Sequence, residues 1–234
     1  MGDVSFAAAG FDAAAAWIIR AANAGVPVSV HFANAYSVAV AADNEDYARV
    51  LGEGVTFADG APIAWLMSHG RRADRKAHLV RGPSIFRTLV SRAGIPGFLV
   101  GSTGRTLSLI EQRVESEGGR LAGKFAPDFG PVDDALVLEI ARRVNDSEAK
   151  VVWVGMGSPK QDFLCAQLAP LVGRPCLGVG AAFDFYAGTV TEAPRWLQGS
   201  GLEWVYRFAK EPRRLARRYT VGNFRFARAV LGRR

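Results

Sequence analysis

The sequence predicts a doubly wound α/β fold: a mostly parallel, Rossmann-like sheet with a basic helical appendage at its C-terminal end. Three observations lead there. Short apolar runs of strand length alternate with longer stretches of helical spacing along residues 11–180. The connections between successive runs are too long for hairpins, which calls for crossovers and so for parallel strands. The charge is also divided unevenly. Residues 195–234 hold eleven Lys/Arg against Glu203 and Glu211, a net of +9, while the whole chain is +7, which leaves about −2 for residues 1–194. We therefore expect an α/β core over 1–194 and a basic amphipathic appendage over 195–234.

Residues 11–24 have the spacing of a helix, and 26–32 (VPVSVHF) read as a buried strand behind Gly25. Asn34 stands where that strand ends, ahead of a helical stretch running through Arg49. A second short strand at 55–58 is stopped by Asp59-Gly60, and helical spacing resumes at 61–70. A basic loop with Arg71, Arg72, Arg75 and Lys76 leads to another helix, whose first turn suits Pro83. The strand at 97–101 meets Ser102-Thr103-Gly104 and a polar helix reaching Glu117. A strand near 120–126, a helix at 133–146, a strand at 151–155 and a helix from Pro159 follow, and 175–180 (PCLGVG) is the last strand.

Nearly half of the residues are apolar and about a fifth charged, which is ordinary for a globular domain. No run of 18 apolar residues exists, so no spanning helix is expected. The apolar N-terminus opens with Asp3 and has no basic region ahead of it, a poor match to a signal peptide. Cys165 and Cys176 are too few for a disulfide framework and read as two buried free thiols. Three scattered His and no C-x-x-C argue against a structural transition metal, and no D-x-D ends a strand, which argues against a metal-bridged diphosphate site.

In a doubly wound sheet, ligands bind beyond the carboxyl ends of the strands. Those ends carry Asn34, Asp59, Gly101 to Gly104, Gly155 to Gln161 and Gly180 to Asp184. The loops at 101–104 and 155–161, the second holding Gly157 and Pro159, read either as phosphate-holding turns at helix N-termini or as plain tight turns. Neither is a complete G-x-G-x-x-G or a P-loop, and no clear acidic ribose reader stands about 20 residues on. Asp59 reads either as a helix cap or as a general base for an attacking hydroxyl. Asp184, between Phe183 and Phe185, reads as a buried structural carboxylate.

The tail interleaves Trp196, Trp204, Phe208, Tyr219, Phe224 and Phe226 with arginine, which suits an interfacial helix on an anionic membrane. Each basic side chain near such a surface adds about 1 kcal/mol. Nucleic acid is the rival partner, but no nucleic-acid motif is present.

Several stretches in order then carry a resemblance: Asp59-Gly60-Ala61-Pro62-Ile63, Gly155 to Asp162 (GMGSPKQD), 178–188 (GVGAAFDFYAG), Ala193-Pro194-Arg195-Trp196 and 201–219 (GLEWVYRFAKEPRRLARRY). Over about residues 28–226 the sequence resembles the WecG/TagA/CpsF family of bacterial glycosyltransferases. The resemblance implies inverting, metal-independent transfer without a cofactor, the donor substrate being a UDP-sugar such as UDP-N-acetylmannosamine or its uronic acid. It implies a polyprenyl-diphosphate-linked acceptor, in cell-envelope polysaccharide or teichoic-acid synthesis. It puts Asp59 at the general base, Asn34 and Gln161 near donor and acceptor, and Arg207, Arg214 and Arg217 on a membrane-associating appendage that closes over the site. Gly101, Gly157, Pro159 and Asp184 complete the expected substrate-binding set. The enzyme is expected at the inner face of the cytoplasmic membrane, without nucleic acid, and a homo-oligomer is compatible with the sequence.

This chain departs from the family pattern in three places. Phe32-Ala33-Asn34 stands for Thr-x-Asn, and Leu79-Val80-Arg81-Gly82-Pro83-Ser84 lacks the first arginine and the aspartate of Arg-Val-x-Gly-x-Asp. Glu192 replaces the arginine before Ala-Pro. Arg81, two positions on, is the candidate substitute for the lost arginine. The alternative from another class is a non-catalytic nucleotide- or nucleic-acid-binding α/β module with a basic tail.

Overall fold

The computed structural model describes residues 4–69, 79–92, 94–194, 196–197 and 206. The expected basic loop at 71–76 and nearly all of the appendage over 195–234, including Arg207, Arg214 and Arg217, lie outside the described residues. Six strands form one all-parallel sheet: β1 (Ser29–Ala33), β2 (Val55–Ala58), β3 (Gly97–Gly101), β4 (Leu121–Phe125), β5 (Val151–Gly155) and β6 (Cys176–Gly178), in the order β2-β1-β6-β5-β3-β4. β1, β3 and β6 are buried along their whole length; β3 (GFLVG) accordingly reads as an unbroken apolar run, whereas β1 (SVHFA) carries Ser29 and His31. Edge strand β4 is half-buried throughout and carries Lys124.

The helices among the described residues are α1 (Phe11–Ala24), α2 (Ala35–Ala42), α3 (Glu45–Glu53), α4 (Ala61–His69), α5 (Gly82–Leu89), α6 (Gly104–Ser116), α7 (Asp134–Asn145), α8 (Lys160–Val172) and α9 (Ala182–Ala187). Two differ from the expectation. The single helix foreseen after Asn34 is two helices, because Asn44 leaves the helical region and its Oδ1 accepts the Tyr47 N–H at 2.9 Å, starting α3 afresh. Helix α9 lies where only a strand end and loop were foreseen, and it stops at left-handed Gly188.

The chain divides into two compact units. One comprises Met1–Gly10, Phe32–Arg81 and Glu192–Arg234, the other Phe11–His31 and Gly82–Thr191. The first is built on Val38, Ala58 and Ile63, with Phe6 and Met67 packed against them. Phe32 stacks on Phe57 at 5.9 Å, and the Ala7 N–H joins the N-terminal segment to the Thr56 carbonyl at 2.8 Å.

One cluster of the second unit joins β3, β5 and β6 to α7 and α8 through Val100, Val154, Ile140, Leu164 and Leu168. Cys165 and Cys176 are free, buried thiols within it, as foreseen, and burial pushes both thiols up from their ordinary range. A second cluster packs Phe86 of α5 against Trp153, Phe183 and Tyr186, with ring centroids 5.3, 5.0 and 5.5 Å apart.

The Tyr186 hydroxyl donates to Glu117 Oε2 at 2.7 Å, and Ser91 Oγ donates to the same oxygen at 2.8 Å. Burial, reinforced by that carboxylate, pushes the Tyr186 phenol up to about 12. A raised phenol contributes stability that is present below the ordinary tyrosine value of about 10 and is lost as pH rises through the folded value. Wild type is therefore expected to lose stability between about pH 10 and 12 more steeply than Tyr186→Phe, measured as urea midpoints across that range.

Candidate active site

Within the first unit, the parallel ladder continues one residue past β2 on both sides. The Asp59 N–H donates to the Ala33 carbonyl at 2.9 Å, and the Val80 N–H donates to the Ala58 carbonyl at 2.9 Å. Asn34, Asp59 and the Val80-Arg81 step thus lie side by side at strand spacing, about 4.8 Å apart. A Cβ placed on Gly60 would stand 3.7 Å from Asn34 Cβ. Asn34 Oδ1 caps α2 by accepting the Tyr36 and Ser37 N–H groups at 3.0 and 3.3 Å, which leaves its amide nitrogen outside the cap. The Ala64 N–H donates to the Gly60 carbonyl, so Gly60 occupies the N-cap position of α4 and half-buried Asp59 precedes the helix.

Arg81 is the side chain that sequence reasoning placed without its partner. Its guanidinium donates to Glu192 Oε1 at 3.0 Å, with the two side chains only 8% and 11% exposed. Two departures from the family pattern therefore meet in one buried ion pair. The two are 111 positions apart, and no local pattern in the sequence joins them.

In the second unit, β3 runs through α6 to β4 on one side, whereas β5 runs through α8 to β6 on the other. The loops after these adjacent strands leave in opposite directions, which opens the crevice that doubly wound sheets use for ligands. Gly101 and Gly155 are register partners at its floor. Gly101 has φ +108°, and a Cβ there would lie 2.7 Å from Met156 Cγ and 2.8 Å from the Gly155 carbonyl oxygen. Gly101→Ala is expected to lower stability by about 1–3 kcal/mol, read from urea unfolding. Thr103 caps α6 through the Thr106 N–H at 3.2 Å.

Across the crevice, the loop from Gly155 reaches Pro159 through a cis Ser158–Pro159 peptide. Pro159 is the N-cap residue of α8, without a side-chain capping bond, and being proline it has no N–H to offer a ligand. Gln161 is buried, and its Oε1 accepts the N–H groups of Gly157 and Gly180, both at 2.9 Å. The Gly157 amide is therefore turned to Gln161. Asp184 sits in the first turn of α9, half-buried rather than enclosed as expected, and Thr189 Oγ1 donates to its Oδ1 at 3.3 Å.

The structure thus brings Asn34, Asp59 and Arg81 together in one unit, and Gly101, Gly157, Pro159 and Gln161 around the crevice of the other. A model of the glycosyl transferase WecG/TagA/CpsF family matches residues 1–234, the whole chain. The chain belongs to the WecG/TagA/CpsF family. It is an enzyme, a glycosyltransferase of cell-envelope polysaccharide synthesis acting on a sugar donor and an acceptor, and the non-catalytic module is set aside. Among the described residues of this family member, no helix is long and apolar enough to cross a membrane.

Sequence reasoning passed over Glu192 as a partner and His31 altogether. His31 did leave a signal, since an ionisable ring in the apolar run VPVSVHF needs a buried hydrogen-bond partner. The structure supplies Asp162, with Asp162 Oδ1 3.0 Å from His31 Nδ1.

Proposed function

We propose that this glycosyltransferase moves a hexose, of the N-acetylmannosamine type or its uronic acid, from a UDP-sugar to a polyprenyl-diphosphate-linked saccharide with inversion. The observation that carries the reading is the ladder extension that sets Asp59 between Asn34 and the Val80-Arg81 step at the carboxyl end of β2. A carboxylate there suits a general base. Asp59 accepts the acceptor hydroxyl's proton as that oxygen bonds to the anomeric carbon. The bond from that carbon to the diphosphate breaks, and UDP leaves with the electron pair. The crevice between the loops after β3 and β5 suits the nucleotide, by the switch-point rule. Arg207, Arg214 and Arg217, which lie outside the described residues, meet the leaving diphosphate in place of a metal ion. The net +9 of residues 195–234 supports a peripheral position on the anionic inner face of the cytoplasmic membrane.

The test is UDP release from a panel of UDP-sugars with a polyprenyl-diphosphate-N-acetylglucosamine analogue, in the presence of EDTA, with and without residues 195–234. Release that needs acceptor and tail and survives EDTA supports the reading. Release only with added divalent cation overturns the metal-independent step, and absence of UDP binding overturns the donor assignment.

A further inference from the structure

Between β1 and the first turn of α8, in the second unit, runs a buried polar chain. His31 Nε2 lies 3.1 Å from Ser29 Oγ, and His31 Nδ1 lies 3.0 Å from Asp162 Oδ1. His31 is fully buried, Asp162 is 2% exposed and Gln161 is 3% exposed. Asp162 occupies the first turn of α8 beside Gln161, whose carbonyl oxygen holds the Gly157 and Gly180 amides, and Gln161 Nε2 is 3.4 Å from Ser158 Oγ. Both acceptor sites of that carbonyl are thereby taken up by the loops after β5 and β6.

The sheet makes room for this turn at one residue. Gly178 of β6 pairs with His31 on one side and Val154 on the other. A Cβ there would come within 3.1 Å of Asp162 Oδ1, of Gln161 Cγ and of Gln161 Nε2. Any larger residue would make the Asp162 and Gln161 side chains give by a few tenths of an ångström. A well-packed apolar pair in the same space would generally hold a fold at least as well as a buried ionisable one. A buried polar pair whose Asp162 follows the glutamine that ties two loops together therefore points to a geometric task.

We propose that Gln161 is a positioning residue for the nucleotide loops, and that the buried His31–Asp162 pair is the anchor that sets it. Resting on the UDP-sugar reading above, this assigns donor affinity to a pair enclosed within the fold. Loss of the anchor lets the first turn of α8 shift, Gln161 releases the Gly157 and Gly180 amides, and the two loops lose their common tie. A loop displaced by about 1 Å is enough to cost up to about 100-fold.

The experiment measures UDP affinity by calorimetry, donor and acceptor KM, kcat and Tm for the full chain and three variants. Asp162→Ala is expected to weaken UDP binding about tenfold or more at a temperature well below its own Tm, with acceptor KM unchanged. Asp162→Asn, which keeps an oxygen facing His31, is expected to restore UDP affinity to within about threefold. Gln161→Met, close in volume but without the double acceptor, is expected to reproduce the loss and serves where Asp162→Ala does not fold. Variants that bind UDP like wild type while only Tm falls overturn the proposal and leave the donor reading standing. Wild-type protein that binds no UDP overturns the donor reading and, with it, this inference.

Discussion

Asp59→Asn is expected to lower turnover by about 10²–10⁴-fold, the usual worth of a general base, with UDP affinity and the urea midpoint close to wild type. Three features support so selective an effect. Asp59 is half-buried, asparagine matches its volume, and the ladder beside it is made by backbone groups that the substitution leaves alone. Single-turnover release with saturating donor and acceptor isolates the chemical step. A rate within tenfold of wild type removes Asp59 as the base. A fall in UDP affinity of the same size as the fall in rate reassigns it to donor binding.

The second large effect belongs to the Arg81–Glu192 pair. Truncating one member takes the opposite charge away from a site where the side chains are 8% and 11% exposed. Arg81→Ala is therefore expected to cost about 3–5 kcal/mol of stability, read from urea unfolding. Glu192→Gln keeps an oxygen for the guanidinium and should cost less, about 1–3 kcal/mol. Arg81→Met combined with Glu192→Leu removes both charges and fills the space, and should recover most of the stability. If that double variant folds well yet transfers no sugar, Arg81 serves the reaction as well as the fold. If it transfers at the wild-type rate, Arg81 is structural, and the arginine that the family pattern has two positions earlier is dispensable here.

The alternation of apolar runs and helical spacing made the sheet legible because a buried parallel strand such as β3 is a continuous apolar run, and Gly and Pro punctuate the strand ends. The places of Asn34 and Asp59 just past β1 and β2 were legible for the same reason, since each is the first polar residue after a strand end. The short helix α9 was not. Six residues dominated by Phe, Tyr and Ala have no periodicity to distinguish a buried turn of helix from a strand end. The break between α2 and α3 rests on a single asparagine cap inside an otherwise helical stretch. The Arg81–Glu192 and His31–Asp162 pairs are 111 and 131 positions apart. No local spacing rule reaches that far, and only the glutamate's departure from the family pattern hinted that position 192 answers to something distant.

Placing β6 between β1 and β5 also has a consequence for the making of this protein. Ser29 waits for Cys176 as its neighbour, and Val152 waits for the same residue from the other side. Among the described residues, this central strand is thus the last to be synthesised, and it is only three residues long. Until the ribosome has passed Gly178, the nascent chain carries two open strand edges, on β1 and β5, either of which can template pairing with another chain. Slow closure across so long a loop is the kinetic cost of this topology, and a chain that stops short of residue 176 is expected to aggregate rather than fold.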